Sequence, residues 1–339
     1  MKRLLCLGLC LSLLLTGCVI PKKQQRYTAT FLTLFDTVTT VVGFAESEAA
    51  FTEQAQTIHD SLQEYHRLFD IYNEYEGLVN LKVLNDTAGA GPVTVDKRIM
   101  ELLADCKTYY TMTGGRVNVA MGSVLSLWHE ARSDGIQDPL NAYVPDRTEL
   151  AEAAEHTDPA DIVLDEGAST VFFADPLLRL DVGAIAKGWS VQKVCETAPE
   201  GLLVSVGGNV CATGPKDSQG TPWVVGVQDP EDNSKNLHTL NLSRGSVVTS
   251  GDYQRRYWVG EEAYHHIIDP ETLFPGTLWR SVTVICEDSG LADALSTALF
   301  LLPREEAQAL LDTCGAEALW VDRAGNRFMS PGFETFIRT

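Results

Sequence analysis

The sequence predicts an α+β protein, in which helices and a largely antiparallel sheet occupy separate stretches of the chain. Helical periodicity dominates the first half of the 339 residues, and short apolar runs separated by turn residues dominate the second. Many of those runs are spaced as hairpins, and no internal repeat is visible. These observations favour α+β over a regular alternation of strands and helices.

The first half contains one predicted strand followed by helices. Residues 30–44 alternate threonine with apolar side chains, which indicates a strand. A long amphipathic helix is predicted over 47–69, because its apolar residues recur in steps of three and four. Asp96 is placed to cap a second helix, residues 133–146 are typical of a loop, and a short helix is predicted over 146–156.

The second half is rich in strands, with helices near its two ends. Strands are predicted at 162–164, 170–173, 178–182, 202–206, 223–227 and 281–286, with further strands up to about 268. Helices are predicted at 185–196 and 289–302, and Pro303 begins another at a position where proline is tolerated.

Composition and charge exclude several classes of protein. Apolar residues make up 45% and charged residues 21%, which excludes a disordered chain. The 46 acidic and 26 basic residues give a net charge of −20, which would repel a nucleic-acid backbone. An anionic ligand would therefore need a cation or backbone amides to bind here.

The N-terminus resembles a bacterial lipoprotein signal. Lys2 and Arg3 precede an apolar run, 4–15, which is too short to span a bilayer. Leu-Thr-Gly-Cys at 15–18 then resembles a lipobox, in which the signal is cleaved before the cysteine and the thiol carries a lipid. The alternative is an ordinary signal peptide with a chance cysteine at position 18.

We therefore expect a signal peptide over 1–17, lipidation at Cys18, a tether over 18–29 and a single domain over 30–339. Because the rest of the chain has no other long apolar run, we expect this domain to be held at the surface of a bacterial cell membrane, facing the periplasm or the cell exterior. Five widely spaced cysteines remain in that domain and give no disulfide framework, so free thiols are expected. They are Cys106, Cys195, Cys211, Cys286 and Cys314.

Common nucleotide and hydrolase motifs are absent from the sequence, but two glycine-containing turns follow predicted strands. After the first, Asp181 leads into a helix N-terminus with Lys187 one turn along, which suits an anion. The alternative is a capping Asp and a surface Lys. At the second, Gly207 and Gly208 would allow close approach of a ligand, although these residues alone favour the alternative of a tight hairpin turn.

Two further groups of polar residues are candidates for chemistry. The segment Thr-Ser-Gly-Asp-Tyr, which contains Ser250 and Gly251, precedes His265 and His266, and His266 is a candidate base at neutral pH. A structural histidine is the alternative.

The second group lies on one face of the late helix. Asp293, Ser296 and Thr297 fall at spacings of three and four and suit a hard cation such as Mg²⁺. A polar stripe at the solvent edge is the alternative. Aromatic residues at 69–75 would stack on a flat ring or belong to the core.

In order and behind a lipobox, these stretches resemble the ApbE family of flavin transferases. The matching segments are FDTVTTV (35–41), FDIYNEY (69–75), GGRVNVAMGSVLSLW (114–128), LDVGAIAKGW (180–189), VSVGGNVCATG (204–214), TSGDY (249–253), HHIIDP (265–270) and SVTVICEDSGLADALSTALF (281–300). The resemblance implies an ApbE-like, T-fold-like architecture of two subdomains, with FAD in the cleft between them.

The resemblance also implies the residues of the site. Mg²⁺ would be held by the carbonyl of Ala184 and by Asp293 and Thr297, with Ser296 nearby. The implied FAD contacts are Phe35, Tyr72, Arg116, Val117, Asn118, Asp181, Lys187, Ile267 and Ile268. Asn118 departs from the family, which usually has Asp at this position, so a purely electrostatic role there is in doubt.

The implied reaction transfers FMN from FAD to a threonine hydroxyl of a target protein, which releases AMP. The expected acceptor is an exported or membrane flavoprotein, such as the flavin-carrying subunit of a redox pump. His266 is the candidate base, Asp269 is a candidate to orient it, and Lys187 would stabilise the phosphate charge. The alternatives are a Mg²⁺-dependent FAD pyrophosphatase and a non-catalytic FAD-binding lipoprotein.

Overall fold

The computed structural model describes residues 24–232 and 234–339, so the predicted signal peptide and Cys18 lie outside the described residues. The described residues form eight α-helices: α1 (Glu48–Phe69), α2 (Leu81–Asp86), α3 (Lys97–Met112), α4 (Gly122–Gln137), α5 (Arg147–Ala154), α6 (Ala186–Thr197), α7 (Ser289–Leu301) and α8 (Arg304–Cys314). None of these helices is long and apolar enough to cross a bilayer.

Fifteen strands accompany the helices within the same described ranges. They are β1 (Gln25–Leu34), β2 (Thr37–Ala45), β3 (Val93–Thr94), β4 (Ile162–Asp165), β5 (Thr170–Phe173), β6 (Leu202–Val206), β7 (Asn209–Ala212), β8 (Trp223–Gln228), β9 (Asn236–Leu242), β10 (Gly245–Gly251), β11 (Arg256–Val259), β12 (Glu262–His265), β13 (Trp279–Cys286), β14 (Glu317–Asp322) and β15 (Arg327–Met329).

An eight-stranded sheet in the order β1-β2-β6-β7-β10-β13-β14-β15 forms the centre of the fold. Every neighbouring pair in it is antiparallel, including the central pair β10–β13, where Val247 lies opposite Ile285. Because helices pack on this sheet without alternating with its strands, the predicted α+β class is confirmed.

Successive residues of a strand point to opposite faces of the sheet, and both faces are buried. Val41 packs with Phe51 and Leu62 of α1, whereas the next residue, Val42, packs on the other face with Leu240 of the β8–β9 hairpin. Both faces are therefore covered, which explains the apolar runs without clean alternation in several strands.

Two smaller groups of elements complete the molecule. Helices α2 and α3 and the three-stranded sheet β3-β5-β4 share the largest core cluster with α7. Helices α4 and α5 and the β11–β12 hairpin instead pack around Trp128, whose Nε1 donates a hydrogen bond to the carbonyl of Leu273 at 3.0 Å. This hydrogen bond fixes the rotation of α4 about its axis.

Most helix predictions hold, and their caps explain why. Ser47 accepts a hydrogen bond from the amide of Ala50 at the start of α1, and Asp96 accepts one from the amide of Arg98 at the start of α3. The predicted short helix over 146–156 is α5, whose N-terminus is capped by Asp146.

Three predictions of secondary structure were wrong. The single strand over 30–44 is a hairpin, because Phe35 and Asp36 adopt φ values of 53° and 52° and reverse the chain. Residues 178–182 form no strand and make one isolated bridge, between Arg179 and Met121. The loop predicted over 133–146 begins late, because α4 continues to Gln137.

Helix α6 packs against α7 at a point where only glycine fits. A Cβ atom at Gly188 would lie 2.4 Å from Cβ of Asp293 and 2.4 Å from the carbonyl oxygen of Ser289. Both distances are shorter than any real contact, and one of the two neighbours is backbone that cannot rotate away. The close approach of α6 to α7 therefore depends on Gly188.

We expect Gly188→Ala to destabilise the protein by about 1–3 kcal/mol, because α6 must move away from α7. Gly167→Ala is a matched control, since its added Cβ would meet only a carboxylate oxygen of Asp165, at 3.4 Å. Denaturant unfolding measures both free energies. Equal stability of the two variants would contradict the packing argument.

Candidate active site

A cavity of about 470 Å³ lies where the sheet, α7 and the Trp128 cluster meet. Most residues predicted for the site line it: Phe35, Tyr72, Arg116, Val117, Asn118, Asp181, Ala184, Lys187, Gly207, Ser250, Gly251, His266, Ile267, Ile268, Asp293 and Thr297. Gly208, Asp269 and Ser296 are not among the lining residues. Segments far apart in sequence thus converge on one concave surface.

The carboxylate of Asp293 is the most buried charged group in this lining. Its Oδ2 accepts hydrogen bonds from the amide of Gly188 at 2.8 Å and from Nδ2 of Asn209 at 2.9 Å, and Nζ of Lys187 lies at 3.8 Å. Burial nevertheless raises the pKa of Asp293, against the lowering effect of Lys187 and these hydrogen bonds. The site thus lacks enough positive charge to compensate this carboxylate fully.

The hydrogen bond to Asp293 also frees a backbone carbonyl. In a regular helix the amide of Gly188 would bond the carbonyl of Ala184, four residues earlier. That amide is directed to Asp293 instead, and no amide in the described ranges donates to the Ala184 oxygen. The carbonyl of Ala184 is therefore available to a cation.

Thr297 lies one helical turn after Asp293 and also lines the cavity. Its hydroxyl makes no hydrogen bond to any other described residue, so it too remains available. A carboxylate, a hydroxyl and a carbonyl are the hard oxygen ligands that Mg²⁺ prefers. In the described part of the chain, no group of three His, Cys, Asp or Glu residues is placed to hold a metal ion.

Ser296 does not fit the predicted role of a metal ligand. Its hydroxyl donates to the carbonyl of Asp293 at 2.9 Å and shares a hydrogen bond of 2.8 Å with the hydroxyl of Ser250. The side chain is completely buried. This pair of hydroxyls therefore joins α7 to β10, and Ser296 stabilises the site without lining the cavity.

Helix α6 points its N-terminus at the cavity. Its first residue follows Ile185, which provides no side-chain cap. The amide of Ala186 donates to the carbonyl of Val182 at 2.8 Å and that of Gly188 donates to Asp293, so among the first three amides that of Lys187 has no partner in the described residues. Asp181 accepts a hydrogen bond from the amide of Gly183 at 2.8 Å, and Lys187 donates to the carbonyl of Gly183 at 3.0 Å. The turn is thereby fixed in a shape that suits a bound anion.

His266 lines the cavity and is held neutral. Its Nδ1 is shielded from solvent and has no hydrogen-bond partner. Burial, followed by repulsion from Arg255, lowers the pKa of His266 to about 3. A neutral imidazole can accept a proton, so the structure is compatible with the predicted role as a base.

Asp269 does not orient His266, which corrects the sequence-based hypothesis. Its Oδ1 instead accepts a hydrogen bond from Nη1 of Arg116 at 3.0 Å and one from the amide of Glu271 at 2.9 Å. Arg116 is also paired with the carboxylate of Glu271 at 2.7 Å. Asp269 thus fixes Arg116 at the cavity wall.

The hydrogen bonds of Asn118 explain why an asparagine suits this position, which the sequence alone did not reveal. Its Nδ2 donates to the carbonyl of Thr157 at 2.8 Å, and its Oδ1 accepts from the amide of Ala120 at 2.9 Å. An aspartate could not donate the first of these hydrogen bonds. The amide therefore anchors the turn before α4.

The aromatic residues at the mouth are positioned by a buried carboxylate and a histidine. Asp70 accepts hydrogen bonds from the amides of Tyr72 and Asn73, which shape the loop after α1. The amide of Phe35 donates to Nδ1 of His66 at 3.2 Å, and this contact holds the strained hairpin tip.

Gly207 lines the cavity with a φ of 57°, and an added Cβ would clash with Thr37. Gly208 also has a positive φ, of 95°, but meets no neighbour. The Gly-Gly pair therefore makes the tight turn between β6 and β7, and Gly207 alone approaches the cavity.

Several residues of the cavity were not identified from the sequence. They are Asp36, Thr37, His66, Asn209, His129, Arg132 and Arg255. Asn209 carried a signal, since it follows the Gly-Gly turn directly. The others are single polar residues within ordinary patterns, and only the fold brings them together.

The sequence model of the ApbE family matches residues 35–320. A Treponema pallidum protein named FAD:protein FMN transferase is 34% identical over 293 residues, which cover 79% of this chain and 78% of that protein. A Klebsiella pneumoniae protein of the same name is 31% identical over 72% of this chain and 77% of its own.

Solved structures agree with the sequence comparisons. The ApbE protein from Thermotoga maritima superposes with a TM-score of 0.82 at 30% identity, covering 93% of this chain and all of that one. The flavin transferase ApbE from Vibrio cholerae shares the fold, with a TM-score of 0.76 at 23% identity over 92% and 99% of the two chains. The predicted ApbE-like fold is confirmed, and the chain belongs to the ApbE family.

Proposed function

We propose that this protein is a Mg²⁺-dependent flavin transferase that moves the FMN group of FAD to a threonine hydroxyl of an acceptor protein and releases AMP. Relatives that match most of the chain bear the name FAD:protein FMN transferase. The observation that carries the proposal is the set of free oxygens at Asp293, Thr297 and Ala184, beside the uncapped N-terminus of α6.

These three residues would hold Mg²⁺, and the fit rests on their chemistry. The buried carboxylate of Asp293 lacks full compensation, and the carbonyl of Ala184 lacks its helical partner. When bound, the ion would neutralise the charge of the diphosphate. The proposal thus explains how a chain of net charge −20 binds an anionic dinucleotide.

The chain's own groups complete the binding of the diphosphate. Lys187, which brings both a free backbone amide and an ammonium group to the start of α6, lines the same cavity as Asp293. Lys187 is held near this point by the carbonyl of Gly183. Positioning and neutralisation of charge are the main requirements of phosphoryl transfer.

The hydroxyl oxygen of the acceptor threonine would form a bond to the phosphorus of the FMN phosphate. The bond from that phosphorus to the oxygen of the AMP phosphate breaks, and its electron pair leaves with AMP. The threonine proton passes to the imidazole of His266. Burial and, after it, repulsion from Arg255 lower the pKa of His266, and the negative charge of a bound anion would favour the protonated ring against both effects.

We also propose that the protein is lipid-anchored through Cys18 at a bacterial cell membrane and modifies exported or membrane flavoproteins. The lipobox-like sequence at 15–18 supports this part of the proposal. An anchored enzyme would meet its acceptor at the membrane surface.

The direct test incubates the purified protein with FAD, Mg²⁺ and a threonine-containing flavoprotein subunit. We expect flavin fluorescence on the acceptor band together with one AMP per label. AMP without labelling would favour FAD hydrolysis. Intact bound FAD without AMP would favour a non-catalytic binding protein.

Asp293→Asn should lower Mg²⁺-dependent turnover by at least about 10²-fold and should raise the melting temperature of the metal-free protein. The pKa of Asp293 is raised above 3.8, so its ionisation costs folding free energy, a cost that is absent below pH 3.8 and complete above the raised pKa. Asp293→Asn has no carboxyl group to ionise, so this loss of folding free energy is absent from the variant at neutral pH.

Thermal melts with and without Mg²⁺ measure this change, and Asp312→Asn on the exposed side of α8 is the control. Mg²⁺ should stabilise the wild type and the control but not Asp293→Asn. Normal Mg²⁺-dependent turnover in Asp293→Asn would remove that residue from the site.

His266→Ala should bind FAD and lose transfer by about 10²–10⁴-fold, because no group then accepts the threonine proton. Flavin fluorescence titration measures binding, and acceptor labelling measures the rate. His59→Ala is the control, since this histidine contacts Phe31 and Asp60 away from the cavity. A wild-type labelling rate in His266→Ala would dismiss it as the base.

A further inference from the structure

Three basic side chains that the proposed reaction does not use line one wall of the cavity. His129 and Arg132 extend from α4, and Arg255 extends from the turn between β10 and β11. We call these three residues the basic cluster. The two residues of α4 are three positions apart and therefore neighbours on one face of the helix.

The two arginines of the basic cluster have no protein partner. Other arginines are paired, for example Arg98 with Asp96 and Arg280 with Asp252. Within residues 24–232 and 234–339, neither Arg132 nor Arg255 makes an ion pair or a hydrogen bond. The chain contains 46 acidic residues, yet no described carboxylate pairs with these two guanidinium groups. The pair is therefore suited to binding an anionic ligand.

The two arginines line the same cavity as His266 and lie close enough to repel each other and to act on His266. Burial, followed by repulsion from Arg255, lowers the pKa of Arg132. Both arginines and Lys187 also contribute to the lowered pKa of His266. The basic cluster therefore acts on the same space as His266.

His129 offers a hydrogen-bond donor to that space. Its Nδ1 lies 2.9 Å from the hydroxyl of Tyr72. Burial lowers the pKa of His129, and we assign the neutral ring a proton on Nε2, with Tyr72 donating to Nδ1. The distance of 4.0 Å from Nε2 to Oδ2 of Asp181 is too long for a hydrogen bond.

We propose that His129, Arg132 and Arg255 form a phosphate subsite that works without metal and holds a phosphate monoester produced in the reaction. The inference rests on the proposed function for its source of phosphate. When the diphosphate bond breaks, the departing AMP phosphate gains the electron pair, and its charge approaches −2 at neutral pH. Two guanidinium forks match such a group.

AMP is the monoester released by the proposed transfer, because the FMN phosphate then becomes a singly charged diester of threonine; free FMN has the same chemistry as AMP and would arise if water replaced the threonine. Asp181 is the carboxylate nearest to His129, and its charge opposes anion binding there. The two arginines outweigh this single charge. The basic cluster would therefore favour a dianion over the singly charged phosphates of intact FAD. It would thus stabilise the state in which the diphosphate bond has broken.

The test is a titration with AMP and with FMN in the presence of EDTA, by calorimetry or equilibrium dialysis. It compares the wild type with Arg132→Gln, with Arg255→Gln and with the double variant. Arg256→Gln is the matched control, because its guanidinium lies over the ring of Trp258, at 5.5 Å. Adenosine and riboflavin serve as uncharged probes, and thermal melts establish that each variant is folded.

We expect at least one monophosphate to bind the wild type, and each cluster variant to weaken that binding about tenfold or more. Arg256→Gln should stay within twofold of the wild type, and the uncharged probes should not respond. A loss confined to AMP supports the proposal with the leaving phosphate as the ligand, and a loss confined to FMN supports it with the monoester that hydrolysis of FAD releases as the ligand.

The proposal is overturned if neither monophosphate binds the wild type without metal, or if the folded variants bind both within twofold of the wild type. Arg132→Lys gives a second measurement, because it keeps the charge but loses the fork and should bind with intermediate affinity. Arginine-dependent binding of AMP without any labelling of an acceptor would leave the subsite standing and reject the transferase.

Discussion

The buried carboxylate of Asp293 is the interaction on which the rest of the site depends. It accepts hydrogen bonds from the amide of Gly188 and from the side chain of Asn209, and so joins α7 to the start of α6 and to the first residue of β7. The same hydrogen bond removes the helical partner of the Ala184 carbonyl. One side chain thus brings three elements together and exposes a second ligand for a cation.

The charge distribution explains how a strongly acidic chain can bind a dinucleotide. The net charge of −20 repels anions at long range, so anion binding depends on the basic groups that line the cavity. Lys187, the N-terminus of α6 and the basic cluster line one concave surface, and an Mg²⁺ ion at Asp293 would add to them. The local field, rather than the net charge, therefore determines what binds.

Much of the fold and part of the site follow from local sequence signals. The steps of three and four in α1, with Ser47 as its cap, were sufficient to place that helix. Local signals failed where distant contacts decide: the composition of 133–146 indicated a loop, yet α4 continues to Gln137, and its Gly135 packs closely against Tyr257. Likewise, helical spacing placed Ser296 beside Asp293, but only the position of Ser250 shows that its hydroxyl is already used.

The most direct test of this account is a crystal structure with FAD and Mn²⁺, in which anomalous scattering locates the ion. The account predicts one peak at about 2.1 Å from oxygens of Asp293, Thr297 and the Ala184 carbonyl, in contact with the diphosphate. Bound FAD with no ion at these three residues, or with the ion held elsewhere, would contradict it.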